Sequence, residues 1–197
     1  MTTLYEHAGG EEALHRLEDI FYGKVLSDPL LQPLFGAGQP EHVEHLTWFT
    51  AESFGGPDRF SRELGFQHLI DVHRGLRISE AQRARFVELY MAALDEAEMP
   101  GDEPFRRAVR GHLEFGSRVA MQNSNATTDR ELHPLREVPR WTWAGDRRRA
   151  TLRPTRGDAA PAASAPGPVR SGGVNPGGKG RSRAVAHTRK ADVSNTV

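Results

Sequence analysis

The segment His68-Leu69-Ile70-Asp71-Val72-His73-Arg74-Gly75-Leu76-Arg77-Ile78-Ser79 carries the side chain best suited to chemistry. His73 ends a helical run, Gly75 breaks that run, and Ser79 with Gln82 three residues on forms a capping box that opens the next helix. A histidine held there faces whatever the following helix packs over. Its neutral imidazole nitrogen is a good ligand for a metal or a heme iron, and a helix cap or a surface histidine is the competing reading. Two more imidazoles precede it. The run from Glu41 to Phe54 puts His42, His45 or Leu46, Phe49 and Ser53 on one helix face at spacings of three and four. Tyr22 sits beside the apolar stripe of an earlier helix, so a phenol and two imidazoles are available as hydrogen-bond donors.

The elements that must position these groups read as helices throughout. After the break at Ala8-Gly9-Gly10, a helix from Glu11 carries Leu14, Leu17, Ile20, Phe21 and Val25 on one side and stops at Ser27-Asp28-Pro29. Leu30, Leu31, Leu34 and Phe35 then make a short apolar turn with Phe35 pointing inward. Pro40 opens the histidine-bearing helix and Gly55-Gly56-Pro57 closes it. Asp58 to Gly65 reads as a loop leading to the short helix that ends at His73. Two long helices follow: Ser79 to about Ala97, with Phe86, Val87, Tyr90 and Leu94, and one from Asp102, with Phe105, Val109, Leu113 and Val119. No strand-like alternation of any length appears, so the expected fold is all-α.

Composition divides the chain. All nine phenylalanines lie at or before Phe115, and no aromatic residue follows Trp143. Residues 1–146 hold 15 Lys+Arg against 24 Asp+Glu, while residues 147–197 hold 11 against 2. A net charge of zero therefore conceals an acidic body and a basic tail. The absence of cysteine excludes a disulfide framework, a zinc finger and thiolate ligation of iron. The N-terminus lacks the basic start and apolar run of a signal peptide, and no stretch approaches membrane-spanning length, so the expected compartment is the cytoplasm, without membrane contact. Residues 126–146 are too apolar for a plain linker and are expected to lie back on the helical body, anchored by Trp141 and Trp143. Residues 147–197, rich in Gly, Pro, Ala, Ser and Arg, are expected to be disordered. With no aromatic residue among the arginines, that tail is not expected to bind nucleic acid specifically.

The order Ala8-Gly9-Gly10, Phe21-Tyr22, Phe35, Phe54-Gly55-Gly56-Pro57, then His73 and Leu76-Arg77-Ile78-Ser79 resembles the truncated globins, most closely group II. The resemblance covers about residues 3 to 122, within a domain drawn at 1–125. It implies a two-over-two helical sandwich around heme b, with His73 as the iron's proximal ligand. It places Tyr22, Phe35, His42 and Leu46 around the gas-binding position, with Phe86 reaching in from the long helix. Dioxygen and other diatomic gases are the implied ligands.

Elementary chemistry agrees. A heme needs one neutral imidazole, apolar contacts to exclude water, and one or two donors toward the partial negative charge on dioxygen. Tyr22 and His42 are such donors. Phe35, Leu46, Phe49, Leu69, Leu76, Ile78 and Phe86 would supply the apolar wall, and Arg77 could pair with a propionate. Each has a plainer alternative: a half-buried tyrosine, a solvated arginine, a surface histidine. The chain departs from group II at Phe86, where a tryptophan is usual, and at His42, where many members have a small residue. Loss of an indole N–H leaves dioxygen stabilisation mainly to Tyr22, with His42 second. Gly75 stands where proline is common, which predicts a looser turn after His73.

Three functions compete at this point. The first is a heme globin that binds dioxygen, with redox chemistry on bound gas, such as nitric oxide dioxygenation or peroxide reduction, driven by an external reductase, because no flavin or nicotinamide motif is present. The second is a non-heme iron or di-iron helical protein using His42, His45, His68, Asp71, His73 and His112. Against it, such sites want Glu-x-x-His spacings from two helices, and the candidate cluster weighed for it, Glu41-His42-Val43-Glu44-His45, is not repeated. The third is a metal-free helical interaction module with a basic tail.

Overall fold

Side-chain caps set where the first helix and the two long C-terminal helices begin. In the computed structural model, which describes residues 2–146, Thr3 and Glu6 form a capping box at α1 (Leu4–His7). Ser79 and Gln82 do the same at α7 (Glu80–Glu96), and the Asp102 carboxylate accepts the Phe105 N–H at the start of α8 (Glu103–Asn125). Each such cap contributes about 1 kcal/mol. Between them lie α2 (Gly10–Ser27), α3 (Gln32–Phe35), α4 (His42–Ser53), α5 (Arg59–Glu63) and α6 (Gly65–His73).

The apolar face of α2 explains the packing. Leu14, Leu17, Phe21 and Val25 are fully buried, and α2 packs against both α4 and α7. The last helix, α8, buries Phe105, Val109 and Leu113 and packs on α7 and α6. The α2/α4 and α7/α8 pairs form a two-over-two sandwich closed at the core by Phe54, Leu94 and Phe105. Burial of each such side chain is worth about 1.5–3 kcal/mol.

Residues 58–65, read from sequence as a loop, contain α5 instead. Its anchor is Phe60, buried against Trp48 and stacked edge-on to Phe49 at 5.3 Å. That contact is tertiary and leaves no periodic trace in five residues. After α8 a 3₁₀ turn (Asp129–Glu131) leads to a minimal antiparallel ladder, β1 (Trp141–Thr142) with β2 (Gly145–Asp146). Arg140 donates to the Glu52 and Gly56 carbonyls at 3.0 and 3.1 Å, which caps the end of α4. Trp141 packs against His112 and Phe115, and Trp143 donates its indole N–H to the Thr2 carbonyl at 2.8 Å. The expected disorder of 147–197 lies outside the described residues. Among the described residues no helix is long and apolar enough to cross a membrane.

Candidate functional site

His73 sits in the last turn of α6. Its Nδ1 lies 2.6 Å from the carbonyl of Leu69, one turn earlier, and that oxygen can only accept. Nδ1 therefore carries the proton, and Nε2 is the nitrogen left to ligate. Burial lowers the pKa of His73, opposed by the Leu69 hydrogen bond, and His68 adds a smaller lowering. The imidazole is thus neutral in the physiological range, the state a metal or heme iron requires.

The turn after His73 is fixed rather than loose. Gly75 has φ +84°, and its N–H and that of Arg77 both donate to the Ser124 carbonyl, at 3.2 and 3.3 Å. The Ile78 N–H donates to Ser124 Oγ at 2.9 Å, and Asn125 donates to the Ile78 carbonyl at 3.0 Å. Proline, locked near φ −65° and without an N–H, could satisfy neither demand. The glycine is what lets this turn dock on the end of α8, which corrects the expectation of looseness. Arg77 is exposed in a left-handed conformation, φ +52°, held by the same Ser124 contact.

Tyr22 is buried on α2. Its hydroxyl lies 2.8 Å from His42 Nδ1 and accepts the backbone N–H of Gln39 at 2.9 Å. The Phe35 ring packs on both Tyr22 and His42, at 6.1 and 5.9 Å between centroids. Phe86 meets Phe21 edge-on at 4.9 Å. Burial lowers the pKa of His42, and positive charge on His45, His68 and, further down, His73 would lower it more.

Phe35, Leu46, Phe49, Leu69, Ile78 and Phe86 are all only partly buried. Val72 and Leu76, on either side of His73, are 46% and 37% exposed, two of only three large hydrophobics so exposed among the described residues. An apolar surface left open around a neutral, oriented imidazole fits a flat apolar group such as heme. The structure thus brings Tyr22, Phe35 and His42 into direct contact and leaves His73 Nε2 available.

The other histidines do not form a ligand set. His112 is buried among Phe49, Phe54 and Trp141, its Nδ1 has no partner, and burial pushes its pKa down to about 4. His45 and His68 stand 5.9 Å apart between ring centroids, but among the described residues no three His, Cys, Asp or Glu side chains gather as a metal site. The di-iron reading is left without a centre. The groups that sequence reasoning passed over are the Leu69 carbonyl, the Gln39 amide and Ser124. Leu69 and Gln39 act only through the backbone and Ser124 partly so, and the backbone has no residue-type signal.

A two-over-two helical sandwich with a histidine at the end of one helix and a phenol paired with an imidazole on two others is the architecture of a globin. The description "bacterial-like globin" fits the family model that matches residues 3–114, and the chain belongs to that family. It is similar to the group 2 truncated hemoglobin YjbI of Bacillus subtilis, at 31% identity over 59% of this chain and 87% of that one. Among solved structures, a hemoglobin from Chloroflexus aurantiacus superposes with a TM-score of 0.56 at 35% identity, covering 64% of this chain and all (100%) of that one. The group II truncated hemoglobin of Bacillus anthracis gives 0.57 at 26% identity over 66% and 98% of the two chains.

Proposed function

We propose that the protein binds heme b noncovalently, with His73 as the iron's axial ligand, and uses it to bind dioxygen reversibly. The observation that supports this best is the neutral His73 imidazole, oriented by Leu69, beside apolar surface that the protein leaves open. With no cysteine in the chain, a thioether-linked heme is excluded. Heme bound there supplies the iron that takes up the gas. The chain's own side chains do the rest. Phe35, Leu46, Phe49, Leu69, Leu76, Ile78 and Phe86 exclude water, Arg77 offers a guanidinium to a propionate, and the hydrogen-bonded pair Tyr22 and His42 offers a donor to the gas. A similar structure, 30% identical with a TM-score of 0.54 over 59% of this chain and 97% of that one, is an oxygen-avid truncated haemoglobin from Bacillus subtilis, which supports the same ligand. The proposal extends to other diatomic gases and to redox chemistry on the bound gas, nitric oxide dioxygenation or peroxide reduction, with electrons from a separate reductase.

The absorption spectrum of the purified protein is the test. An intense Soret band is expected. Charge-transfer features without a Soret band would favour non-heme iron instead, and a colourless protein would favour a metal-free interaction module.

A further inference from the structure

Resting on the heme assignment above, we infer that His42 is the group that donates to the gas through Nε2–H, and that Tyr22 is the positioning residue that fixes its tautomer. A phenol has one proton and two lone pairs. The Gln39 N–H takes one lone pair of the Tyr22 oxygen at 2.9 Å, and His42 Nδ1 lies 2.8 Å from the same oxygen. Only two arrangements of protons fit. In one, His42 Nδ1–H donates to Tyr22; the phenol then accepts twice and its own proton has no protein acceptor among the described hydrogen bonds. In the other, Tyr22 O–H donates to Nδ1, and the proton without a protein acceptor among the described hydrogen bonds is the one on His42 Nε2. The second is the chemically stronger bond, because a phenol is a better acid than a neutral imidazole N–H and an imidazole nitrogen is a better base than a phenol oxygen.

The consequence is a change of roles. With Nδ1 accepting, the neutral ring must carry its proton on Nε2, so the free donor belongs to His42 while the Tyr22 proton is already committed. The expected order, Tyr22 first and His42 second, is inverted.

Packing holds this arrangement in place. Phe35 covers both rings. Gly38 has φ +87°, and a Cβ there would lie 3.0 Å from Leu26 Cδ1 and 3.4 Å from the Tyr22 hydroxyl. The loop can bring the Gln39 amide onto the phenol because residue 38 has no side chain. Tyr22 itself is 7% exposed and cannot swing into solvent without vacating the core.

The test uses full-length, heme-loaded protein in its diamagnetic carbon monoxide complex and its dioxygen complex. Imidazole ¹⁵N spectra of the carbon monoxide complex should show His42 as the Nε2–H tautomer in the parent and as a mixture in Tyr22→Phe. Stopped-flow dioxygen release should quicken about ten- to a hundredfold in His42→Leu, the loss of one hydrogen bond to a charged acceptor. His42→Gln, which keeps an N–H donor, should recover most of that loss. Tyr22→Phe should fall between His42→Leu and the parent. An Nδ1–H tautomer in the parent would overturn the inference, as would a large rise in Tyr22→Phe with His42→Leu within about twofold of the parent, under half a kcal/mol. A parent with no Soret band would overturn the heme assignment and the inference together, so the two failures are distinguishable.

Discussion

Glu18 should make the protein less stable as pH rises through neutrality, and Glu18→Gln should remove that dependence. The carboxyl is fully buried where α2, α4 and α7 meet. Oε1 accepts from Thr50 Oγ1 at 2.7 Å and from the Tyr90 hydroxyl at 2.5 Å, while Oε2 has no partner. Burial raises its pKa from the ordinary 4.5 to about 7, against the lowering effect of the Tyr90 and Thr50 hydrogen bonds. Between those two values the folded chain keeps a proton that the unfolded chain has lost. The contribution to stability is therefore fully present below about pH 4.5 and is lost as pH rises through 7. A gap of about 2.5 pH units at roughly 1.36 kcal/mol each corresponds to about 3 kcal/mol. His112 works in the opposite sense. Its pKa is depressed from 6.5 to about 4, so its contribution is present above 6.5 and lost as pH falls through 4. The two slopes nearly cancel in the parent between pH 4.5 and 6.5, which is why the variant must be read against the parent rather than the parent alone. Urea unfolding of both proteins at a series of pH values is the assay. The stability of Glu18→Gln relative to the parent should rise by about 2–3 kcal/mol between pH 5 and 8. A difference that stays flat within about 0.5 kcal/mol would refute the buried-acid argument.

Two further substitutions test the scaffold. Gly75→Pro should cost about 3 kcal/mol or more by denaturant unfolding, since it forbids φ +84° and removes the N–H donated to Ser124; a neutral effect would mean the turn is not docked on α8. Trp141→Ala should lower stability by about 2–4 kcal/mol, because the indole packs on His112 and Phe115, and a Cβ on Gly111 would already lie 3.2 Å from its ring. An unchanged unfolding midpoint would mean that the segment after α8 contributes nothing to the fold.

The long helices were legible because their apolar residues recur at helical spacing and their first turns carry caps, as at Ser79–Gln82 and Asp102. The sequence also held a signal that was not read: Thr3 and Glu6 are spaced as a capping box and begin α1. By contrast α5 depends on Phe60 finding Trp48, a contact no local pattern encodes. At the candidate site, the place of His73 at a helix end was legible from the helical run before it and Gly75 after it. Its orientation was not, because the Leu69 carbonyl that sets it is backbone. The link between Ile78 and Ser124 spans 46 residues and joins two elements only in three dimensions. Tyr22 and His42 could each be named as donors from residue type alone. Which of them has a proton to spare depends on the contact between Tyr22 and His42, which joins two helices and which no local pattern encodes.

The central claim is that His73 is the protein's ligand to heme iron, and the most direct measurement is the absorption spectrum of His73→Gly with and without added imidazole, beside His68→Ala and His112→Ala. The Soret band of His73→Gly should be lost or strongly altered and should return when imidazole fills the space left by the side chain, while the other two variants keep the parent spectrum. A His73→Gly protein with the parent's Soret band in the absence of imidazole, or a His68→Ala protein stripped of heme, would contradict it.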